Sequence, residues 1–215
     1  MVKIFDHESP EYAESWNKLG GDKYNGAYYY AKEIKENIMP LVKTTRNWVL
    51  VNKPGFCWDH SIVFIHNNKH PEIYNWLKDY DDLVLVTGVP GTGEKLEHLG
   101  HKTIYLPLTI DTKYVKQFYK ARKQKDRAIV GRYSKIKDNI PPHTDVLANI
   151  PREELLKRMA DYKFVYAVGR CALEAKALGC HVLPYDKRFP DPALWEVIDN
   201  KVAGYFLNFA LKGIK

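Results

Sequence analysis

Residues 164–184 read Phe164-Val-Tyr-Ala-Val-Gly169-Arg170-Cys171-Ala-Leu-Glu174-Ala-Lys-Ala-Leu-Gly179-Cys-His-Val-Leu-Pro184. The run from Phe164 to Val168 is short and apolar, which is typical of a strand buried in a parallel sheet. Gly169 permits a sharp turn, the residues from Ala172 to Leu178 are good helix formers, and Gly179 is placed to end the helix. The segment therefore predicts a strand, a tight turn, a helix and a second strand, as in a parallel α/β sheet.

The predicted turn is also a candidate binding site. The helix begins at the carboxyl end of a strand, which is where open α/β sheets bind their ligands. The Arg170 side chain and the backbone N–H groups that open the helix suit an anion, most simply a phosphate. Glu174 lies one turn further on, where its carboxylate could accept hydrogen bonds from a sugar hydroxyl.

Composition indicates a globular chain with anionic partners. The chain has 215 residues, of which 45% are hydrophobic and 27% charged, and its formal net charge is +7. A basic balance favours a nucleotide, a nucleic acid, another anionic polymer or a membrane face as partner. Basic residues concentrate between Lys113 and Lys137. Two interpretations of this cluster stay open: a binding patch, or a linker and helix surface exposed to solvent.

Targeting and cysteine patterns limit the compartment. No apolar run approaches the roughly 20 residues of a membrane span, so we expect no transmembrane segment, and the N-terminal residues lack the apolar core of a signal peptide. The three cysteines, Cys57, Cys171 and Cys180, have no metal-ligand spacing, and their odd number favours a reducing, cytoplasmic compartment. We expect all three to be buried as small hydrophobic residues.

Short apolar runs alternate with helical patterns along the chain, which predicts a parallel α/β sheet. The best boundary is near Gln124, which predicts domains 1–124 and 125–215, with the last helix packing back on the first. The interval between Tyr133 and Asp145 is shorter than the dozen residues that a full crossover needs, so we expect one helix of the second domain to be missing. The predicted helices include Glu11–Gly21, Thr112–Lys123, Leu194–Ile198 and Val202–Leu211.

Four segments resemble, in chain order, parts of GT-B glycosyltransferases. They are similar to the end of the acceptor domain, the strand and loop that open the donor domain, the segment before the next helix, and the nucleotide-sugar site. The resemblance implies an α/β fold of two Rossmann-like units that face a cleft, with the second unit abbreviated. The segments are Thr103–Thr112, Ile129–Lys137, Ile150–Leu155 and Leu173–Gly179.

The resemblance also implies roles for residues of the donor domain. The family's Gly-Arg pair and the Lys that follows contact the donor phosphates, and Glu174 matches the second Glu of a pair that holds the ribose. The first Glu of that pair would lie eight positions earlier, where this chain has Tyr166, and Arg170 would replace part of its function. The matching phosphate-contact residues are Gly131, Arg132 and Lys135 or Lys137.

Two further residues of the first domain match the family. Gly26 resembles a glycine in a loop that approaches the diphosphate. His66, at the end of a predicted buried strand, resembles a histidine that faces the donor sugar, as a contact or as a base. His60, Asn67 and Asn68 are weaker candidates of the same kind.

The implied function is transfer of a hexose from a nucleotide sugar, most simply a UDP-sugar, to a hydroxyl acceptor. Basic side chains can stabilise the leaving diphosphate without a metal, and the sequence has no Asp-x-Asp pair at the end of a predicted strand. The small size and basic charge resemble virus-encoded glycosyltransferases, some of which act on modified DNA, so DNA or another anionic polymer is one acceptor class. Two alternatives stay open: a non-catalytic nucleotide- or partner-binding module with a degenerate GT-B fold, and a nucleotide-sugar epimerase.

Residues Gly88–Leu96 imitate a phosphate-binding P-loop. That pattern requires Lys and then Ser or Thr directly after its last glycine, whereas Glu94 follows Gly93 and Leu96 stands where the hydroxyl belongs. Because a carboxylate there would repel phosphate, we expect a flexible loop rather than a site of ATP hydrolysis.

Overall fold

The computed structural model describes residues 1–10, 12, 26–66, 71–89, 91–185, 191 and 195–214. Contacts divide the chain into two compact units. The first comprises Met1–Lys23, Ala27–Leu108 and Lys201–Lys215, and the second comprises Tyr24–Gly26 and Thr109–Asn200.

Eleven strands and seven α-helices are described over these ranges. The strands are β1 (Ile4–Phe5), β2 (Asn47–Val49), β3 (Ser61–Ile65), β4 (Val84–Thr87), β5 (Lys102–Tyr105), β6 (Thr109–Ile110), β7 (Lys125–Gly131), β8 (Asp145–Ala148), β9 (Tyr162–Tyr166), β10 (His181–Leu183) and β11 (Ile198–Asp199). The helices are α1 (Gly26–Glu33), α2 (Thr92–Leu96), α3 (Thr112–Lys116), α4 (Tyr133–Ile136), α5 (Arg152–Met159), α6 (Arg170–Ala177) and α7 (Asn200–Lys212).

The first unit is built on a parallel sheet whose five strands follow chain order, β1-β2-β3-β4-β5. Strands β3 and β4 are buried at every residue, as expected for near-continuous apolar runs that are covered on both faces. The helix α1 continues as a π-helical turn, and Ala203 and Leu207 of α7 join the same hydrophobic core. Further short helices are the π-helical Ile34–Ile38 and the 3₁₀ segments Met39–Leu41, Pro71–Asp79 and Glu97–Leu99.

The second unit contains a four-stranded parallel sheet in the order β10-β9-β7-β8, and a separate parallel pair of β6 with β11. The chain places β8 on one side of β7 and then crosses β7 to place β9 and β10 on the other side. The position between β7 and β9 is therefore a topological switch point, where open α/β sheets bind ligands outside the carboxyl ends of the strands. Among the described strands, the first sheet has no such reversal.

The predicted fold class is confirmed as α/β with parallel sheets, since the pairs of both large sheets are parallel. The GT-B arrangement of two units about a cleft stays a prediction, as do the functional domain bounds. The predicted helix over Glu11–Gly21 falls on residues that, apart from Tyr12, lie outside the described ranges, and so do Asn67 and Asn68.

The predicted helix Thr112–Lys123 is wrong in its length, because α3 ends at Lys116. Beyond Lys116, the side chains of Lys120 and Lys123 make tertiary contacts and do not lie on a helix surface. Lys120 Nζ lies 2.6 Å from Asp161 Oδ1, and Lys123 Nζ donates to the carbonyl oxygens of Ala160 and Leu178 at 3.0 and 2.5 Å.

The predicted helix Leu194–Ile198 is also wrong where it is described, because Ile198 lies in the strand β11. Side chains from the neighbouring strand and helix explain the change. Asp199 Oδ2 accepts hydrogen bonds from the backbone N–H and the hydroxyl of Thr112, and Asn200 Oδ1 accepts one from Thr109 Oγ1 at 2.7 Å. These bonds hold β11 against β6, so tertiary context overrides the helical pattern.

The connection between β7 and β8 contains a short helix, whereas the sequence predicted that one helix of this domain is missing. It holds the four-residue α4 and a 3₁₀ turn, Lys137–Asn139. A single short turn suffices because α4 is tied directly to the end of β7, where Lys135 N donates to Arg132 O at 2.8 Å.

Across the described ranges, no helix combines the length and apolarity needed to cross a bilayer.

Candidate functional site

The candidate site lies at the carboxyl edge of the second sheet. The strands β7 and β9 are neighbours there, with Ile129 opposite Tyr166, and β8 lies on the other side of β7. Each of the three strands is followed by a short loop and a helix, α4, α5 and α6. The first turns of these helices therefore gather at the edge that the switch point predicts.

Gly169 shapes the turn between β9 and α6. Its backbone has φ 58° and ψ −136°, a combination that residues with a Cβ avoid. Its carbonyl accepts hydrogen bonds from Ala172 N at 3.1 Å and Leu173 N at 3.4 Å, which starts the helix. Arg170 is therefore placed at the first helical position directly behind the strand.

Two arginines share one buried carboxylate at this edge. Arg170 Nε and Arg152 Nε each lie 3.0 Å from Glu174 Oε1. Arg170 and Glu174 are four residues apart on α6 and so share a face, while Arg152 is the first residue of α5. The side chains of Arg152, Glu174 and Arg170 are 12%, 3% and 9% exposed. We call these three residues the Arg-Glu-Arg triad.

The triad carries a formal charge of +1 in a largely buried setting, since two guanidinium groups face one carboxylate. The guanidinium carbon of Arg152 also lies 5.3 Å from the centre of the Tyr114 ring, a cation–π contact that fixes its orientation. A buried positive charge at the carboxyl edge attracts anions more strongly than the same charge in water. The arrangement can therefore stabilise an anionic group at the edge of the sheet.

The thiol of Cys171, next to Arg170, is half-buried, whereas Cys57 and Cys180 are buried as predicted. Burial, reinforced by the carboxylate of Glu174, raises the pKa of Cys171 to about 12. Burial likewise raises the pKa of Cys57 and that of Cys180 to about 11. All three thiols are therefore protonated at neutral pH, whereas thiol nucleophiles act as thiolates.

The end of β7 carries the other predicted phosphate contacts. A Cβ on Gly131 would lie 2.9 Å from Ile136 Cγ2, so glycine is needed for the close approach of α4 to the strand. Arg132, Lys135 and Lys137 follow in exposed positions. Their cationic heads therefore reach solvent at the same edge of the sheet as the triad.

The loop after β8 is tied to the same place. Asn149 has a positive φ of 54°, and its side-chain oxygen accepts a hydrogen bond from Tyr133 N at 3.3 Å. The ends of β7 and β8 are thus linked by a side chain, which supports α4 at its start.

His66 belongs to the first unit, where it follows β3. The Leu50 carbonyl oxygen lies 2.6 Å from His66 Nε2 and can only accept, so Nε2 carries the proton and Nδ1 is the acceptor. The ring also makes an edge contact with Tyr30, with 5.7 Å between ring centres. Burial lowers the pKa of His66, and the bond to Leu50 opposes this only in part. The imidazole is therefore neutral at pH 7.

Two more polar residues lie at the carboxyl ends of other strands of the same sheet. His7 follows β1, and its pKa is lowered to about 4 by burial and by the nearby His66. Asn52 follows β2, donates to Phe64 O at 2.8 Å and accepts from Tyr74 Oη at 3.3 Å. Both could have been found from sequence, since the ends of parallel strands share one edge.

The remaining candidates of the first half have local roles. His60 lies at the amino end of β3, and its Nδ1 atom is 2.6 Å from Asp82 Oδ2. Gly26 is the first residue of α1. In the P-loop imitation, Gly91 adopts a left-handed conformation with φ 73°, and Glu94 is exposed on the short α2.

Arg170 and Glu174 are thus in direct contact, and Gly131, Arg132, Lys135 and Lys137 lie on the neighbouring strand end of the same unit. Sequence reasoning missed Arg152. The sequence feature that could have identified Arg152 is its place at the start of a helix just after a strand, which is also the place of Arg170. Among the described residues, no group of three or more His, Cys, Asp or Glu side chains could hold a metal ion.

No protein-family model matches the chain. No curated protein matches it in sequence at a significant level either. The geometry of the Arg-Glu-Arg triad and of the neighbouring strand ends is therefore the basis for a proposed function.

Proposed function

We propose that the protein is a glycosyltransferase that moves a hexose from a nucleotide sugar, with UDP-sugars as the first donors to test, to a hydroxyl acceptor. The observation that supports this proposal is the Arg-Glu-Arg triad at the switch point of the second sheet. Two guanidinium groups oriented by one buried carboxylate suit a ligand with a diphosphate group.

The leaving diphosphate is the group that such a site would serve. Glycosyl transfer leaves a nucleoside diphosphate, whose developing negative charge must be stabilised in the transition state. Arg170 and Arg152 would do so from fixed positions, since Glu174 holds both by their Nε atoms. Arg132, Lys135 and Lys137 would add cationic contacts from the end of β7, and Gly26 would approach the diphosphate by its backbone.

Glu174 would act first as a positioning residue and second as a ribose ligand. Its Oε1 atom accepts from both arginines, which leaves Oε2 as the oxygen for a ribose hydroxyl. His66, neutral and with Nδ1 as an acceptor, would contact the sugar or take the proton of the acceptor hydroxyl. A DNA acceptor would add binding that weakens steeply with salt.

The first experiment is a thermal-shift and calorimetric screen with UDP, GDP, CDP, ADP and UDP-hexoses. A ligand that binds only the native state raises the melting temperature with concentration. We expect one nucleotide family to do so, and Arg132→Ala to weaken that binding by roughly 10-fold or more, the cost of one charged hydrogen bond.

Arg122→Ala is the matched control for Arg132→Ala. Both residues are exposed arginines of the second unit, but Arg122 precedes β7 and Arg132 follows it. The control removes the same charge at the amino end of the strand and should leave nucleotide affinity within about two-fold, since the two sites are screened from each other. Equal loss in both variants, or no binding in the wild type, would contradict a site at the carboxyl edge.

Turnover is then measured as release of nucleoside diphosphate from the donor that binds, with and without candidate acceptors. Acceptor-dependent release supports transfer. Formation of an epimerised nucleotide sugar without release would support the epimerase alternative instead.

A non-catalytic nucleotide-binding module is the second candidate. The engagement of Glu174 by two arginines favours it, as does Tyr166 at the position of the family's first Glu. Binding of a nucleotide with no conversion of any bound donor would establish this function.

A further inference from the structure

The outer face of α7 exposes an apolar stripe. Val202, Tyr205, Phe206 and Phe209 are 60%, 63%, 48% and 77% exposed. Their spacing places them on one side of the helix, and we call these four residues the outer stripe. Single exposed apolar residues are common on proteins, whereas a contiguous stripe of this kind marks an interaction surface.

The opposite face of α7 is held in the core of the first unit. Ala203 and Leu207 are fully buried there, and a Cβ on Gly204 would lie 2.8 Å from Leu41 Cδ1. The backbone N–H of Lys43 donates to Asn208 Oδ1 at 2.9 Å. These contacts fix the rotation of the helix, so the outer stripe is directed to solvent by the fold itself.

Every charged residue of α7 is a lysine. Lys201 and Lys212 are exposed at the two ends of the outer stripe, and residues 200–212 contain no Asp or Glu. The exposed Lys43 lies beside the middle of the helix through its bond to Asn208. Within α7, exposed apolar side chains are thus combined with charged residues of one sign.

Charge of one sign makes the outer stripe a poor match for a second copy of the chain. A two-fold contact pairs a patch with itself, so it would bring lysines of the two copies together. The exposed area is also small. Three partly exposed aromatic rings and a valine offer roughly 400–500 Å², against about 800 Å² per partner in a standard interface.

We propose that the outer stripe docks the protein on an anionic lipid bilayer, with α7 lying in the plane of the interface. Tyr and Phe side chains suit the headgroup and upper acyl region, and the lysines at both ends meet anionic headgroups. With 13 residues the helix is about 20 Å long, and its inner face stays in the protein core.

The test is flotation of the full chain with two kinds of vesicle. One is phosphatidylcholine alone, and the other contains about one third phosphatidylglycerol, which gives a strong negative surface potential. We expect wild-type protein to float with the anionic vesicles and to be released at about 0.5 M salt, where surface charges are screened. The double variant Tyr205→Ser, Phe209→Ser should lower the bound-to-free ratio by about 10-fold or more. Lys201→Gln with Lys212→Gln should reduce the preference for anionic lipid.

The control variant is Ile73→Ser with Tyr105→Ser, which removes two exposed apolar side chains elsewhere on the first unit. It should float as the wild type does, and a cooperative thermal melt of each variant checks that it is folded. Nucleotide binding tests the proposed site in the second unit, so its presence or absence does not bear on the membrane proposal. The proposal is overturned if wild-type protein stays with the free fraction, if the stripe variant still floats, or if the control loses binding equally. It is also overturned if the wild type is a dimer that the stripe variant dissociates, which would make a second copy the occupant.

Discussion

Glu174 accepts hydrogen bonds from two largely buried arginines through one carboxylate oxygen, so its removal should be far more costly than the loss of an ordinary ion pair. Glu174→Gln keeps the shape of the side chain but removes the carboxylate charge that both guanidinium groups contact. We expect a loss of about 3–5 kcal/mol in the free energy of unfolding, as for other buried pairs broken on one side. Urea unfolding of the purified variant measures it.

Glu153→Gln is the matched control for this change. Glu153 also bonds a cation, with its Oε1 2.5 Å from Lys157 Nζ, but both side chains are 59% exposed. Exposed pairs of this kind contribute well under about 1 kcal/mol. Equal stability of the two variants would show that the Arg-Glu-Arg triad is not a buried, coupled group.

Gly169 offers a second test at the scale of one residue. A Cβ there would meet no atom within 4 Å, so the cost of Gly169→Ala comes from the backbone alone. We expect a loss of about 1–3 kcal/mol, since φ 58° with ψ −136° is accessible essentially to glycine only. Thermal melts of the variant provide the measurement.

Gly91→Ala provides the comparison, because Gly91 also has open space around its Cβ position but lies in the ordinary left-handed region at φ 73° and ψ −1°. The cost there should be only about 1 kcal/mol. If Gly91→Ala proved the more harmful of the two, strain at the Gly169 turn would not be what glycine relieves.

Individual residues of the candidate site were open to sequence reasoning to different degrees. Arg170 and Glu174 could be linked because both lie in one predicted helix, four residues apart. Arg152 and Tyr114 could not, since they come from α5 and α3 and their meeting depends on how the helices pack. Local spacing predicts contacts within an element, whereas contacts between elements need the tertiary structure.

Among the elements, the buried strands were the most predictable. The buried strand predicted before His66 is present as β3, Ser61–Ile65, because a strand covered on both faces needs apolar residues throughout. The two-residue strands β6 and β11 were not predicted. Their pairing depends on side-chain bonds from Asp199 and Asn200, so no pattern within their own sequences marks them.

The docking of α7 gives a prediction at this scale. Gly204 lies against Leu41 and the Ile38 carbonyl, at 2.8 and 3.4 Å from where its Cβ would be. Gly204→Val should therefore overpack the contact and cost about 1–3 kcal/mol, despite better helix propensity than glycine. The measurement is the urea midpoint with an unchanged slope.

Gly213→Val is the control for that substitution, because the nearest atom to its Cβ position is Ala210 O at 3.6 Å. A small change is expected there. Destabilisation of similar size in both variants would point to the chain end rather than to the packing of α7 on Leu41.

The strand orders of the two sheets belong to the whole molecule and could not be read from the sequence. The alternation of strands and helices predicts parallel sheets, but it is equally compatible with strands in chain order and with a reversal. The first sheet adopts one order and the second sheet the other. The location of the candidate site depends on that difference, because only a reversal opens a crevice at the carboxyl edge.

The stability of the whole molecule should fall with acid in a window set by His7. Burial and the nearby His66 lower the pKa of His7 from 6.5 to about 4, so between these values the unfolded chain binds a proton that the folded chain excludes. The contribution is fully present above pH 6.5 and is lost as the pH falls towards 4. Since His7 is only partly buried and solvent screens it, we expect about 1–2 kcal/mol, with the lowered pKa of His66 acting in the same direction.

Urea unfolding at pH 7.5, 6 and 5, values that span the interval between about pH 6.5 and 4, measures this loss. His7→Gln should flatten the dependence because glutamine does not titrate, whereas His98→Gln, at an exposed histidine of the same unit, should keep the wild-type slope. A His7→Gln variant as acid-sensitive as the wild type would assign the loss to other groups. A flattened profile in His7→Gln therefore identifies the buried edge of the first sheet as the acid-sensitive part of the fold.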